Sequence, residues 1–351
     1  MNAMQRTLTA LGQQEPDRVP LFLLTTEHGA KEVGLSIEEY YSRAGNVIEG
    51  QMRLLKKYRA DCLYGFYYAA IEMEAWGGHT IFMPDGPPLC GSPIITRAEQ
   101  IDTLIPPAIE TAPGLQRVLD TIRGLKERVG DSVPIIGVAI SPFSLPVMQM
   151  GFDNYLELIY EQPERFERLM QANITFSVNW ANAQLAAGAT AICYFDPVSS
   201  TTNIPRELYL KTGQTVARQA LSRIKGPTAT HMASGRALPI IGEIADTGTA
   251  IIGVSALEDL AALKAAANGR VSLLGNLNGI EMRRWTTAHA EFEVRRAIAK
   301  AGRGGGFLLG DNHGEIPWLV PDEILLAIGD AVERWGNYPL DWVDDWLKEN
   351  D

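Results

Sequence analysis

What this chain has little of narrows its function first. Only three cysteines occur among 351 residues, Cys62, Cys90 and Cys193, and no two stand in a CxxC spacing. An odd number without paired spacing argues against a disulfide framework and against a thiolate metal knuckle. Cys62 and Cys193 fall at or in predicted strands, where they are expected to pack as small hydrophobes. No dense run of Lys or Arg is present, and the balance is acidic: 31 basic against 42 acidic residues, a net charge of −11. A nucleic-acid partner is not expected on that charge, which serves solubility. No apolar run approaches the roughly 18–20 residues that span a bilayer, and the polar stretch Met1–Pro16 lacks the apolar centre of a secretory leader. The expectation is a soluble protein of a reducing, cytoplasmic setting without a membrane partner. Serine-elbow (GxSxG), HExxH, phosphate-loop and EF-hand patterns are all missing.

What is present is a rhythm. Eight short apolar runs each stop at a polar residue: Val19–Leu24, Leu63–Tyr67, Ile135–Ile140, Ile192–Phe195, Pro227–Ala229, Ile251–Val254, Val271–Leu274 and Phe307–Leu309. Helix-like stretches separate them. This predicts an α/β fold, a single (β/α)8 TIM barrel, with chemistry at the C-terminal ends of the strands. Residues 1–18 read as a leading helical extension and loop. Ser36-Ile37-Glu38-Glu39 is a capping box that opens a helix to about Arg59, and Thr96-Arg97-Ala98-Glu99 reads as a second box. Residues 75–95, with Gly77-Gly78 and Pro84-Asp85-Gly86-Pro87-Pro88, predict an arm or hairpin after strand two. A long helical zone to Gly188 has Pro163 at a first helical position, and Pro205 opens the next helix. Trp335, Trp342 and Trp346 read as a packed cap. A doubly wound sheet would need a glycine-rich turn after an early strand, and strands one and two have none. The run Gly302–Gly306 precedes strand eight and reads as a helix-to-strand turn. No linker rich in Pro, Gly or Ser divides the chain, so one domain over 1–351 is expected.

Strand ends supply the candidate site. His231 follows strand five and His313 follows strand eight, so both point toward one pocket in a closed barrel. A lone histidine is more often a hydrogen-bonded structural residue than a ligand; two at strand ends of one rim balance that reading with a site role. Asp196 ends strand four, where a carboxylate acts as general base, metal ligand or substrate anchor, or merely caps the loop at Ser199 or Ser200. Asp311 stands two residues before His313 and can share a metal or set the imidazole tautomer. Glu72 and Glu74 follow strand two. Substrate contacts are expected from Glu27 and His28 after strand one, Tyr67 and Tyr68 after strand two, Ser141, Asn276 and Arg236. Tyr64, Met148 and Met150 suit an apolar pocket for a flat ligand, or the core. Arg236 is the exception on a rim with few cations, so a basic anion trap is not expected.

The order of short motifs resembles one superfamily. Arg18-Val19-Pro20, Glu72–Gly77, Asp85-Gly86-Pro87-Pro88, Asp196-Pro197, Thr230-His231, Leu274-Gly275-Asn276 and the Gly-Gly-Phe run before strand eight are similar to uroporphyrinogen decarboxylase and the corrinoid-dependent methyltransferases, methylcobamide:coenzyme M methyltransferase among them. The resemblance spans nearly the whole chain and implies a barrel with its cleft at the strand C-termini. The decarboxylase carries Arg-Gln-Ala-Gly-Arg-Tyr after strand one, whose arginines meet an acidic porphyrinogen. Here the stretch reads Thr25-Thr26-Glu27-His28-Gly29-Ala30-Lys31. A glutamate in place of arginines opposes a polyanion. The thiol-methylating branch holds zinc with His-x-Cys after strand five and a cysteine after strand eight. Here the first is His231-x-Ala233 and the second is replaced by His313, so the resemblance implies at most a harder site of His231, His313 and Asp311 or Glu243. The expected activity is methyl transfer between a small O- or N-methylated substrate and a corrinoid on a partner protein, with His231, His313, Asp196 and Glu72 as catalytic residues and zinc as a possible cofactor. Methyl transfer from a methylcorrinoid to a thiol or pterin, porphyrinogen decarboxylation, and non-catalytic binding of a tetrapyrrole or corrinoid stay open. So does the choice between monomer and homodimer.

Overall fold

Short apolar runs separated by amphipathic helices bury themselves by pairing side by side, with the helices packed around the outside. The computed structural model describes residues 1–350. Its strands are β1 (Leu21–Phe22), β2 (Leu63–Tyr64), β3 (Thr80–Ile81), β4 (Leu89–Cys90), β5 (Ile135–Ile140), β6 (Ala191–Phe195), β7 (Thr228–His231), β8 (Ile251–Gly253), β9 (Ser272–Leu277) and β10 (Phe307–Asp311). Eight of them form one sheet in the order β1-β10-β9-β8-β7-β6-β5-β2, and every pairing is parallel. This is the predicted barrel. The remaining pair, β3 and β4, is the predicted arm, an antiparallel hairpin after β2. All six residues of β5 are buried, because helices cover one face and the barrel interior the other. Phe22, Tyr64, Val138, Cys193, Leu274 and Leu308 belong to the inner cluster, and Cys62 lies with them. Burial pushes the Cys193 thiol up to about 12, so it packs as an unreactive small hydrophobe.

The barrel closes differently at one seam. Among the described residues β1 and β2 share no ladder. Asp61 bridges them instead: its N–H donates to the Leu21 carbonyl at 2.7 Å, and its carboxylate accepts the Leu21 N–H at 2.8 Å. The same buried carboxylate receives Arg6 at 2.6 Å and Arg18 at 2.7 Å. Arg6 reaches it from the N-terminal helix Ala3–Leu11, whose start is fixed by a reciprocal cap between Asn2 and Gln5.

Three local expectations needed correction. The helix from Ser36 to Arg59 is two, Ile37–Tyr41 and Ala44–Tyr58. The Ser36 box holds, but the first helix stops where Ser42 and Asn46 side chains both donate to the Glu39 carbonyl, replacing its next helical bond. At the second box Glu99 is exposed, and Gln100 instead accepts from the Thr96 N–H at 2.8 Å and the Arg97 N–H at 2.9 Å. The zone before Gly188 divides into Pro146–Met150, Phe152–Glu161 and Pro163–Ala187. The glycine run turns as expected: Gly304, Gly305 and Gly306 all have left-handed φ, and the Gly306 N–H donates to Ala10 of the N-terminal helix. The tail tryptophans gather around Arg295, whose guanidinium lies 3.9 Å from the Trp335 ring centre. Among the described residues no helix is long and apolar enough to cross a membrane.

Candidate active site

Inward-pointing residues at the strand ends leave a cavity of about 410 Å³ at the C-terminal mouth. Its walls are Phe22 of β1 and Leu24 just after it, Tyr64, Phe66 and Tyr68 from β2 and its extension, Val138 and Ile140 from β5, Cys193 and Phe195 from β6, and Leu274 from β9. Pro87, Pro88, Leu89 and Cys90 of the hairpin, with Met148, complete it. The hairpin is tied to the rim by Glu74, which accepts from the Tyr68 hydroxyl at 2.9 Å and the Thr80 hydroxyl at 2.6 Å. The ionisable side chains that reach the cavity include His231, Asp311, His313 and Glu315; among the described residues no lysine or arginine lines it.

His231 is held on three sides. Its ring stacks on Phe195 at 5.5 Å between centres. The neighbour in register on β8 is Gly253, and a Cβ there would stand 2.6 Å from the imidazole Cδ2, so only glycine leaves the ring its place. Nδ1 accepts the Ala233 N–H at 3.0 Å. Burial, with His313 nearby, lowers its pKa to about 4, so the ring is neutral at pH 7. Both nitrogens of His313 are engaged: Nδ1 by the Ser234 hydroxyl, Nε2 by the Asn278 carboxamide oxygen at 3.0 Å.

Burial shifts the carboxyls of the cavity upward. Burial raises Asp311 to about 7, although its Oδ1 accepts the Leu24 N–H at 3.3 Å. Glu315 accepts from the Thr26 hydroxyl and the Glu27 N–H. Burial and the adjacent Glu27 carboxylate push Glu315 well above the usual range. Glu27 itself is 0% exposed and is raised by burial too. Two carboxyls this close in a dry setting hold at least one proton between them at neutral pH.

The structure gathers some expected site residues and disperses others. His231, Asp311, His313 and Tyr68 meet in the cavity, while Glu27 stands behind Glu315. Asp196 does not line the cavity: Ser141 and Ser144 hydroxyls both donate to its Oδ1, tying the ends of β5 and β6. Tyr67 turns outward to Thr121 at 2.8 Å. His28 meets the Pro317 carbonyl at 3.1 Å, Asn276 donates to the Ser255 carbonyl at 3.0 Å, and Arg236 is exposed. Glu72 lies behind β5 and accepts the Ile140 N–H at 2.9 Å. Glu315, Phe66 and Phe195 were not singled out from sequence. Glu315, four residues beyond Asp311 and in the same loop as His313, offered the one available signal.

Zinc does not fit this arrangement. Among the described residues no group of three or more His, Cys, Asp or Glu side chains is placed to hold a metal ion. His313 has no free nitrogen, Asp311 faces backbone donors, and Glu243 is ion-paired with Arg206. The expected set of His231, His313 and Asp311 is therefore not assembled as a metal centre.

Glu72 carries a separate prediction. Burial raises it from 4.5 to about 8. Below pH 4.5 both folded and unfolded chains hold its proton. Above that the unfolded chain ionises first, so the burial cost grows until pH 8. Glu72→Gln keeps the acceptor for Ile140 and removes that cost. Its advantage over wild type in urea unfolding is expected to rise by up to about 1.4 kcal/mol per pH unit between pH 4.5 and 8. A gain that does not grow with pH means that Glu72 is ionised in the fold.

A curled parallel sheet of eight strands with an acid-bearing cavity at the strand C-termini is the build of a barrel enzyme. Within that class the chain belongs to the uroporphyrinogen decarboxylase (URO-D) family, whose model matches residues 2–335. The uroporphyrinogen decarboxylase of Xylella fastidiosa is 27% identical over 358 residues, covering 94% of this chain and 98% of that protein. That of Teredinibacter turnerae is 25% identical over 345 residues, covering 90% and 93%. Among solved structures, a methyltransferase from Methanosarcina mazei superposes with a TM-score of 0.81 at 20% identity, covering 95% of this chain and 99% of that one, and so shares the fold.

Proposed function

We propose that this enzyme transfers a methyl group between a small O- or N-methylated compound and a corrinoid carried by a partner protein. The observation that carries this reading is the charge of the cavity. Its wall holds no cation, and the carboxyls Asp311 and Glu315 face it. A porphyrinogen with a carboxylate on each side chain would enter with nothing to neutralise it, a cost that buried sites do not absorb. A cavity of about 410 Å³ suits a small ligand instead. A corrinoid would meet that ligand at the mouth, supplying the nucleophile that takes the methyl group.

The chain's own residues have three tasks in this scheme. The aromatic and aliphatic walls exclude water and hold the methyl group toward the mouth. His231 and the carboxyls of Asp311 and Glu315, both raised by burial, surround the leaving atom. As the O–CH3 or N–CH3 bond breaks, its electron pair stays on the heteroatom, and a carboxyl proton neutralises it. No step requires a metal at these residues.

The relatives' name supports a second reading, decarboxylation of a porphyrinogen. One experiment separates the two. The protein is incubated with a Co(I) corrinoid protein and a panel of methyl ethers and methylamines, and separately with uroporphyrinogen. Corrinoid methylation, followed by its visible spectrum, is the expected result. An unchanged corrinoid across the panel, with carbon dioxide released from uroporphyrinogen, establishes decarboxylation in its place.

A further inference from the structure

The geometry points to His231 as a hydrogen-bond donor with a tautomer fixed by the Ala233 backbone, and to an uncharged ligand bearing an acceptor oxygen as what that donor selects. This rests on the cavity being the substrate site and deepens that reading. A neutral imidazole has one proton on two nitrogens. Nδ1 accepts the Ala233 N–H at 3.0 Å, so Nδ1 carries the lone pair and Nε2 carries the proton. A metal-bound imidazole has the opposite arrangement when Nε2 is the ligand: a lone pair on Nε2 and an N–H on Nδ1 donated to an acceptor. The alanine that stands where the thiol-methylating branch has the cysteine of its His-x-Cys pair is thus more than a missing thiolate. The residue that replaces the cysteine orients the ring against metal binding.

The backbone and the walls both hold this arrangement. Ala233 has φ +50, a left-handed conformation that alanine seldom adopts, and it is this turn that brings its N–H to the ring. Phe195 on one side and the bare Gly253 on the other leave the imidazole no room to swing. A ring flipped end for end would set a carbon against the Ala233 N–H. Among the described residues no acceptor meets Nε2.

An N–H that opens onto an apolar cavity seeks an acceptor, because a ligand that displaces water there without an acceptor leaves the donor unmet. An ether or carbonyl oxygen satisfies it. A methylammonium head offers no lone pair, and its charge gains nothing from a donor. The flat aromatic walls of Phe66, Tyr64 and Phe195 favour an aryl frame for the oxygen. An aryl methyl ether is therefore preferred over a methylamine.

Two measurements on the full-length protein test this. With 15N-labelled histidine, the His231 signals, assigned by their loss in His231→Gln, are expected to show an unprotonated Nδ1 and a protonated Nε2 at pH 7. They should stay so with one equivalent of zinc. A proton on Nδ1, or a zinc-induced shift, overturns the proposal. In binding titrations, anisole is expected to bind roughly 3- to 10-fold tighter than ethylbenzene, its near-isostere without the oxygen. The ratio should fall to about one in His231→Phe. Equal affinities in wild type, binding of neither probe, or a preference for tetramethylammonium overturns it. These readouts need no corrinoid. Failure of methyl transfer alone therefore leaves them standing, and equal probe affinities leave methyl transfer standing.

Discussion

Asp61→Asn will lower the free energy of unfolding by about 3–5 kcal/mol, the usual cost of removing one member of a buried ion pair. Asp61 is 2% exposed, and its carboxylate serves the Leu21 N–H and two arginines that are themselves largely buried. Asparagine keeps one acceptor but turns an N–H toward a guanidinium. Arg6 and Arg18 are then left with less than a full countercharge, at the seam where, among the described residues, the sheet lacks a ladder. Urea unfolding of Asp61→Asn beside Asp17→Asn makes the comparison. Asp17 also pairs with Arg6, but its side chain is 38% exposed, so its loss should cost about 0.2–1 kcal/mol. If the two variants lose the same stability, the seam does not depend on Asp61.

The second large effect concerns turnover. His231→Phe should reduce kcat/KM for methyl transfer from an aryl ether by about 10²- to 10³-fold, the usual loss when one preorganised donor is removed from developing negative charge. Binding should weaken far less than turnover. The ether oxygen of the ground state is a weak acceptor, whereas the departing oxygen gathers charge as the methyl group leaves. Phenylalanine retains the stack on Phe195 and the contact over Gly253, so the loss reports the N–H rather than packing. A loss confined to KM, with kcat unchanged, would sink the role of His231 in the transition state.

Much of the fold was legible because parallel strands buried on both faces show as uninterrupted apolar runs. Ile135–Ile140 appears with the same bounds in sequence and structure. The same double burial hid the site. In Ile135–Ile140 both faces are apolar, so nothing in the letters says that Val138 and Ile140 face the cavity while Ala139 faces helices. The carboxylates misled for a related reason. Asp196 stands at a strand end and Glu72 in the short helix Ala70–Ala75 that follows β2, where sequence expects chemistry, yet each is consumed by hydroxyls or N–H groups in or just after the neighbouring strand. Those partners lie about 50–70 residues away along the chain, beyond any local pattern. Tyr67 and Tyr68 differ by one position and point to opposite sides, one to Thr121 and one to the cavity. His231 and His313 were found because strand ends were counted. The Nδ1 contact that decides what His231 can do depends on one left-handed residue, which sequence does not show.

The hairpin of β3 and β4 bears on the order of events in turnover. Pro87, Pro88, Leu89 and Cys90 line the cavity on one side, so on the proposed reading a small ligand and a protein partner would enter past the same arm. On the proposed reading, a seated partner closes that entrance behind the ligand. The small molecule must bind first and its demethylated product must leave last. Steady-state kinetics would then follow a compulsory sequence, in which the demethylated product competes with the small substrate but not with the partner. The arm would set the timetable of the reaction without touching the bond that breaks.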